Sequence, residues 1–383
     1  MSVFGVEYCR KNSESRKILH FFTKSIDKCR RLWYNIGTTK DPERCERSGP
    51  KNGKVVNPCM FIISHNEAFV KWSEKKTANV AVAHKMIEAG FRKRGYLMLE
   101  CGKFIETKYC PDCGKSFISS AMLCRDRLCP TCQWRLSIRR FAEMCNTLAL
   151  IEDFDESTCA FWTVTIRNCS LSELKATIAL MNQAWHRVLQ RKTFKKHVSG
   201  WARSLEVTYN ATRNDFHPHF HVIVMTDGAL TEGEFYKVLQ REWKESLRIC
   251  YEPVTEFHYF RADESRLDND PFIKAILETY KYTMKSKDVL EMPISAFRAY
   301  VNGITGVRVA SYGGKIKEAR RMLNYNDDEN EEEISRIQCD CGAELRVALL
   351  QWSFESGQYN LVKEAVRVQS PEVYKDAFDP VFA

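Results

Sequence analysis

His217-Pro218-His219-Phe220-His221-Val222-Ile223-Val224 is an apolar stretch carrying two histidines one residue apart. Side chains alternate between the faces of a β-strand, so His219 and His221 share one face and Phe220, Val222 and Val224 take the other. Two imidazoles about 7 Å apart along one sheet face can share a divalent ion. Left unpartnered in a buried strand, they would be costly. A single strand histidine is most often a satisfied core residue. Two at i and i+2 in an apolar strand predict a metal site.

The neighbouring strand should supply a third ligand. In Ser204-Leu205-Glu206-Val207-Thr208-Tyr209, the apolar Leu205, Val207 and Tyr209 take one face, leaving Glu206 and Thr208 on the other. Asn210 to Phe216 has the Asn and Asp chemistry of a turn, and the hairpin it closes brings Glu206 toward the histidines. His217 shares parity with the pair and stands as an alternative ligand, although Pro218 leaves the start of the strand open. Two histidines and one carboxylate suit Mg²⁺ or Mn²⁺ holding a phosphate, or an iron centre.

Outward from this hairpin the pattern is regular. Phe161 to Ile166 alternates β-branched and aromatic residues as a strand, and Leu171 to Leu189 has a helical stripe of Leu171, Leu174, Ile178, Met181, Trp185 and Val188. Ala202 to Tyr209 and His219 to Met225 are strands. Thr231 to Leu247 is a helix opened by a Thr231-to-Glu234 capping box. Val254 to Phe260 is a strand, and Asp270 to Lys287 a helix opened by Asp-Pro. The order strand, helix, strand, strand, helix, strand, helix predicts an antiparallel α+β sandwich rather than an alternating parallel fold. Upstream, residues 14–36 read as helix and Gly37 to Pro58 as loop. Ala78 to Lys93 reads as a helix ended by Gly95, and Gln133 to Leu150 as a helix with a basic start.

A second constellation follows about 60 residues after the histidines, in Glu278-Thr279-Tyr280-Lys281-Tyr282-Thr283-Met284-Lys285. On one helix, Glu278, Tyr282 and Lys285 fall at i, i+4 and i+7 and share a face. A tyrosine hydroxyl becomes a useful nucleophile when a nearby metal polarises a phosphodiester and a cation stabilises the developing oxyanion. Lys285 is placed for the second task, and Glu278 can take the tyrosine proton or later activate water. Taken alone, the pattern is more often that of an amphipathic helix with surface charges and a packed tyrosine. The histidine strand tips the reading toward chemistry. Tyr280 lies on a different helix face from Tyr282 and lacks the same flanking pair.

Sixteen cysteines need an explanation. No stretch approaches the roughly 20 apolar residues of a membrane span, and the first residues lack the apolar run of a secretory signal, which predicts a cytoplasmic protein. Disulfides are rare in that compartment. Cys110-Pro111-Asp112-Cys113 and Cys129-Pro130-Thr131-Cys132 are two CxxC knuckles with the spacing of a four-thiolate structural zinc site, with Cys124 and Cys101 as spare candidates. Cys339-Asp340-Cys341, with no two further ligands nearby in sequence, reads as two free thiols, with metal binding left open as the alternative. The net charge of +9 is uneven: residues 1–150 hold 28 Lys and Arg against 14 Asp and Glu, while the remainder holds 30 against 35. A basic N-terminal part, with Arg125, Arg127, Arg135, Arg139 and Arg140 around the second knuckle, suits a polyanion such as nucleic acid.

In order along the chain stand Cys124-Arg-Asp-Arg127-Leu-Cys129-Pro-Thr-Cys132-Gln-Trp134-Arg135, Phe161-Trp-Thr-Val-Thr165, Leu205-Glu206-Val-Thr-Tyr-Asn210 with His217-Pro-His219-Phe-His221, Glu278 to Lys285, and Tyr312-Gly-Gly314-Lys-Ile-Lys317. This series resembles the rolling-circle plasmid replication initiators of the HUH endonuclease superfamily, specifically the cysteine-containing bacterial plasmid Rep family, over roughly residues 100–320. The resemblance implies a five-stranded antiparallel HUH sheet and metal binding by His219 and His221. It also implies nicking by Tyr282 through a 5′-phosphotyrosyl link, with Glu278 assisting hydrolysis at termination. The implied partners are plasmid origin DNA exposed as a hairpin or single-stranded nick site, and the host helicase and polymerase, in the bacterial cytoplasm.

The expected layout is a basic helical region over 1–100, the zinc knuckle and basic helix over 101–150, the endonuclease domain over 151–323, and an acidic loop with a C-terminal segment over 324–383. Three rival readings share some features: a relaxase or transposase of the same superfamily, a catalytically inactive zinc-knuckle DNA-binding regulator, and a two-His, one-carboxylate iron oxygenase. The cysteine knuckle and Tyr312-Gly-Gly314-Lys favour Rep over the first. The intact His, Glu and Tyr set argues against the second, and the tyrosine segment against the third.

Overall fold

A computed structural model of the chain describes residues 67–260, 271–280, 284, 286–323, 338, 339 and 341–365. The expected helix at 14–36, the loop at 37–58 and the acidic run at 326–333 lie outside the described residues. Along the chain come α1 (Glu67–Glu88), α2 (Arg92–Glu100), β1 (Phe104–Tyr109), β2 (Ser116–Ala121) and α3 (Pro130–Ala149). Then follow β3 (Cys159–Thr165), α4 (Leu174–Val188), α5 (Lys192–His197), β4 (Val198–Asn210), β5 (Asp215–Thr226), α6 (Glu232–Leu247) and β6 (Thr255–Tyr259). The chain continues through α7 (Pro271–Thr279), α8 (Ser286–Glu291), α9 (Ile294–Ile304), β7 (Ala310–Gly313) and α10 (Gly314–Met322) to β8 (Arg346–Ser353) and β9 (Gln358–Ala365). The described part is thus a mixed α+β chain with two antiparallel sheets. No helix among the described residues is long and apolar enough to cross a membrane.

One compact unit is built mainly from Gln133–Asn324. Its sheet has the order β6-β3-β5-β4-β7, with every neighbouring pair antiparallel. The histidine strand β5 is therefore central, paired with β3 on one side and β4 on the other. One face of the sheet is closed by α4 and α6. Trp162 of β3 meets Trp185 of α4 at 5.9 Å and Trp243 of α6 at 6.4 Å, and all three indoles are fully buried. The predicted stripe of α4 is the buried one at Leu174, Ile178, Met181, Trp185 and Val188, whereas Leu171 precedes the helix. The capping box between Thr231 and Glu234 is formed and starts α6.

The other face carries the histidines. Part of it is covered by a cluster of Phe141, Met144 and Leu148 from α3, Phe272, Ala275 and Ile276 from α7, and Ile316 and Ala319 from α10, packed on Cys159, Ala202, Ile223 and Met225. The expected single helix from Asp270 to Lys287 is not what forms. α7 ends at Thr279, Met284 sits in a bend, and α8 begins at Ser286. The run Thr279-Tyr280-Lys281-Tyr282-Thr283 is rich in β-branched and aromatic residues of low helix propensity. The Thr279 hydroxyl also turns back to donate to the Ala275 carbonyl at 2.8 Å.

The second unit joins Phe91–Cys132 and residues of Gly37–Ile87 to the C-terminal segment. Its four-stranded sheet has the order β2-β1-β8-β9, so β1 pairs with a strand some 240 positions later in register Phe104↔Gln351 to Tyr109↔Arg346. The cysteine-rich segment is thus a β-hairpin inside a sheet, and the C-terminal segment supplies the sheet's other half. Trp72 donates to the Tyr359 hydroxyl at 2.9 Å, which ties α1 to β9. The chain between α1 and α2 turns at Gly90, with φ +92°, rather than at Gly95. Gly95 lies inside α2, where a Cβ would come within 2.5 Å of the Ile87 side chain. It marks a close helix approach, not a helix end.

Candidate functional site

Three side chains converge on the histidine face of the five-stranded sheet. The register places Glu206 of β4 directly opposite His219 of β5, and Ser204 opposite His221. Glu206 Oε2 lies 2.9 Å from His221 Nε2 and 3.4 Å from His219 Nε2, and the two Nε2 atoms are 3.2 Å apart. The three side chains are only 10–13% exposed, so the donor atoms sit in a recess largely withdrawn from solvent. Two imidazole nitrogens and one carboxylate oxygen within mutual reach form a set that could hold a divalent ion and leave coordination positions open to a ligand.

The flanking strand β3 completes the arrangement. Thr163 and Thr165 pair with His221 and His219 across the β3–β5 ladder. The Thr163 hydroxyl stands 3.3 Å from His221 Nδ1, and the Phe161 ring stacks on His221 at 5.3 Å and 16°. His219 Nδ1 lies 3.3 Å from the His217 carbonyl. With both Nδ1 atoms occupied, both Nε2 atoms are aimed at the recess, an outer-partner arrangement typical of ligating histidines. Nothing in the strand pattern alone assigns Phe161 and Thr163 a role. Their parity with the histidines across the ladder was the available signal.

His217, the alternative third ligand, is not part of this donor set, and its ring stacks on His219 at 5.5 Å. Its Nδ1 is 3.0 Å from Asn168 Oδ1, and the Asn168 amide donates to Asp215, which is also bonded by Arg213. Burial, helped by the charges of His219 and Arg213, lowers its pKa against the pull of Asp215. Burial would raise the Glu206 carboxyl, but hydrogen bonds and charge from His219 and His221 outweigh it and hold the pKa down to about 2. Glu206 is therefore an anion at neutral pH, as a cation ligand must be.

α7 packs against β5 on this same face. Glu278 is half-buried on its last turn. Tyr282 and Lys285 lie outside the described residues. α7 stops at Thr279, so of the three residues that the sequence places on one helix face only Glu278 lies on α7. Tyr280 is 3% exposed within the α3–α7–α10 cluster and stacks on Tyr312 at 6.5 Å. Burial, followed by the neighbouring Tyr312, pushes its phenol well above the ordinary range.

The cysteines group differently from expectation. Cys110, Cys113, Cys129 and Cys132 do not converge. Cys129 and Cys132 join Cys101 and Cys124, while Cys110 and Cys113 join Cys339 and Cys341. The reason is β1: Cys101 precedes this strand and Cys110 follows it, and an extended strand of six residues spans roughly 20 Å. The two knuckles therefore sit at opposite ends of one strand. Cys339 and Cys341, read as free thiols with metal binding left open, are half of the second group. Sequence spacing could not reveal this, because the partners lie 226 and 231 residues away.

The family model described as Replication protein matches residues 115–360, well over half of the chain. A protein named Protein rep from Streptococcus pneumoniae serotype 2 is 29% identical over 266 residues, spanning 68% of this chain and 81% of that protein. Another Protein rep, from Lentilactobacillus hilgardii, is 26% identical over 314 residues, spanning 78% of this chain and 96% of that protein. A Replication protein from Staphylococcus aureus is 28% identical over 214 residues, spanning 53% and 90%. No solved structure matches the chain. On the extent of that family match, the chain belongs to the Replication protein family of plasmid replication initiators.

Proposed function

We propose that the protein starts rolling-circle replication by nicking, and later rejoining, one strand of plasmid origin DNA at the Glu206–His219–His221 recess, as an HUH-type endonuclease. The observation that carries the reading is the meeting of these three donors on a sheet face against which α7 packs, since α7 leads directly into the segment bearing Tyr282. Mg²⁺ or Mn²⁺ held there would supply Lewis acidity to the scissile phosphodiester. Tyr282 attacks the phosphorus, its proton passes to Glu278 or solvent, and the 3′-oxygen of the preceding nucleotide leaves. The products are a 5′-phosphotyrosyl link on Tyr282 and a free 3′-OH that primes the host polymerase. Lys285 balances charge developing on the non-bridging oxygens.

The covalent link conserves the phosphodiester bond energy, so resealing needs no nucleotide cofactor. Termination needs a second nucleophile, and water activated by Glu278 fills that role. The endonuclease domain is assigned to residues 151–323. Origin DNA is the partner, presented as a hairpin or single-stranded site, with the host helicase and polymerase acting on the nicked product in the bacterial cytoplasm.

The test is cleavage of a labelled single-stranded origin oligonucleotide with Mn²⁺ by wild type and by Tyr282→Phe. Wild type should cut the oligonucleotide and become attached to the new 5′ end of the downstream fragment, and Tyr282→Phe should do neither. Equal cutting by both proteins would remove Tyr282 from the mechanism. Cutting by wild type without attachment would remove covalent catalysis altogether.

A further inference from the structure

Eight cysteines of the second unit form two fours, and neither group has disulfide geometry. In the inner group Cys101 Sγ is 3.5 Å from the sulfurs of Cys132 and Cys129, and Cys124 Sγ is 3.7 Å from Cys132 Sγ. In the outer group Cys110–Cys341 and Cys113–Cys339 are both 3.5 Å apart. A disulfide would need about 2.05 Å. A regular tetrahedron with zinc–sulfur bonds of about 2.3 Å has sulfur–sulfur edges of about 3.8 Å. Within each group every sulfur lies within 4.8 Å of the others.

The backbone around both groups is shaped for thiolates. Amide N–H groups donate to sulfur from Cys132 to Cys129 at 3.4 Å, from Arg125 to Cys132 at 3.2 Å, and from Cys113 to Cys110 at 3.4 Å. Such donors stabilise the negative charge that metal-bound sulfur carries. The two halves of the outer group are built alike. In each a left-handed glycine follows the second cysteine, Gly114 at φ +73° and Gly342 at φ +88°, and its amide donates to the carbonyl of the first. The inner group is buried except for Cys124, and the fully buried Lys76 ammonium donates to the carbonyls of Leu99 and Cys101 at 2.7 Å. That places a cation beside four thiolates whose zinc complex carries a net charge of −2.

We propose that the chain holds two structural zinc ions, one on Cys101, Cys124, Cys129 and Cys132 and one on Cys110, Cys113, Cys339 and Cys341. The ladder explains their positions. Tyr109↔Arg346 ends the β1–β8 pairing, so the Cys110 turn and the Cys339–Cys341 turn emerge at the same end of the sheet. The outer ion fastens the C-terminal strands β8 and β9 to the β1–β2 hairpin. The inner ion fastens the other end of β1 to the start of α3. Exposure ranks them: Cys113 and Cys341 are exposed, whereas three of the four inner sulfurs are buried. The outer ion is the one a chelator reaches first.

The proposal is independent of the nicking reaction, and its test is made on the full chain carrying His219→Ala and His221→Ala, so that metal on the recess is not counted. Elemental analysis with native mass spectrometry should find two zinc per chain, and one after adding Cys339→Ser and Cys341→Ser. Cys341→His, which keeps a permitted zinc ligand, should restore two. Timed alkylation of the otherwise unaltered chain under a mild chelator covers variants that fail to fold. The first zinc released should expose Cys110, Cys113, Cys339 and Cys341 together, and the second Cys101, Cys124, Cys129 and Cys132. One zinc in the starting chain, two in the Cys339→Ser/Cys341→Ser form, iron in place of zinc, or joint protection of Cys110, Cys113, Cys129 and Cys132 would each overturn it.

Discussion

Tyr280 and Tyr282 are two residues apart, and substitution at Tyr280 separates a structural tyrosine from a chemical one. Tyr280 belongs to the core cluster that includes Phe272 and Ile276, stacks on Tyr312 and is 3% exposed. Truncation to alanine leaves an aromatic-sized cavity where α7 meets the sheet, which for large core aromatics costs about 3–5 kcal/mol. For a unit of this size roughly 2–4 °C of melting temperature accompany each kcal/mol, so Tyr280→Ala should melt roughly 6–20 °C lower. Tyr280→Phe keeps the packing and removes only the hydroxyl, and should shift stability by about 1 kcal/mol or less. The same substitution should leave covalent attachment to a single-stranded origin oligonucleotide within about twofold of wild type. A buried phenol whose ionisation is pushed upward by its surroundings is poorly suited to attack phosphorus. The assays are thermal melting and gel-based adduct formation on the same preparations. A Tyr280→Phe protein that melts like wild type yet forms no adduct would refute this assignment.

Further outcomes follow from the recess and the sheet around it. Glu206→Gln keeps the shape and removes the anion, so Mn²⁺ affinity measured by calorimetry should fall more than 100-fold, with oligonucleotide cutting lost in parallel. Thr163→Val removes the hydroxyl beside His221 Nδ1 without changing side-chain size, and should weaken Mn²⁺ binding about 10–100-fold while the melting temperature holds. Removing divalent ions with a chelator should abolish cutting, and Mn²⁺ added back should restore it. Gly314 has φ +55°, and a Cβ there would lie 2.1 Å from the Ser199 carbonyl oxygen. Gly314→Ala should therefore cost at least about 2 kcal/mol in denaturant unfolding, since β7 and α10 must move away from β4.

How far the sequence could be read depended on how local the determining physics was. The β4–β5 hairpin, with Glu206 opposite His219, follows from two-residue parity and one short turn, and both are printed in consecutive residues. Apart from the short α5, the order of helices and strands from Phe161 to Thr279 was legible for the same reason. The break after Thr279 was less so, because a seven-residue spacing looks helical whether or not low-propensity residues let the helix continue. Pairing at long range was hidden. Nothing near Cys110 announces that its partners are Cys339 and Cys341, and nothing in Phe104–Tyr109 announces pairing with Arg346–Gln351. Arg203 is a further case. On the face with Leu205 and Val207, it is buried at 4.0 Å over the Phe220 ring and donates to Asn182 at 2.8 Å. Alternation gives the side it faces but not the partners that make a buried guanidinium tolerable.

The central claim is that Tyr282 attacks DNA bound at the Glu206–His219–His221 recess. Its most direct test is to trap the adduct on an origin oligonucleotide in Mn²⁺, digest the protein and the DNA, and locate the nucleotide by peptide mass spectrometry. The account predicts a nucleotide on Tyr282 within the peptide that follows α7, and none in the Glu206→Gln protein. A nucleotide on Tyr280 or on any other side chain, or an adduct that forms equally well without Glu206, would contradict it.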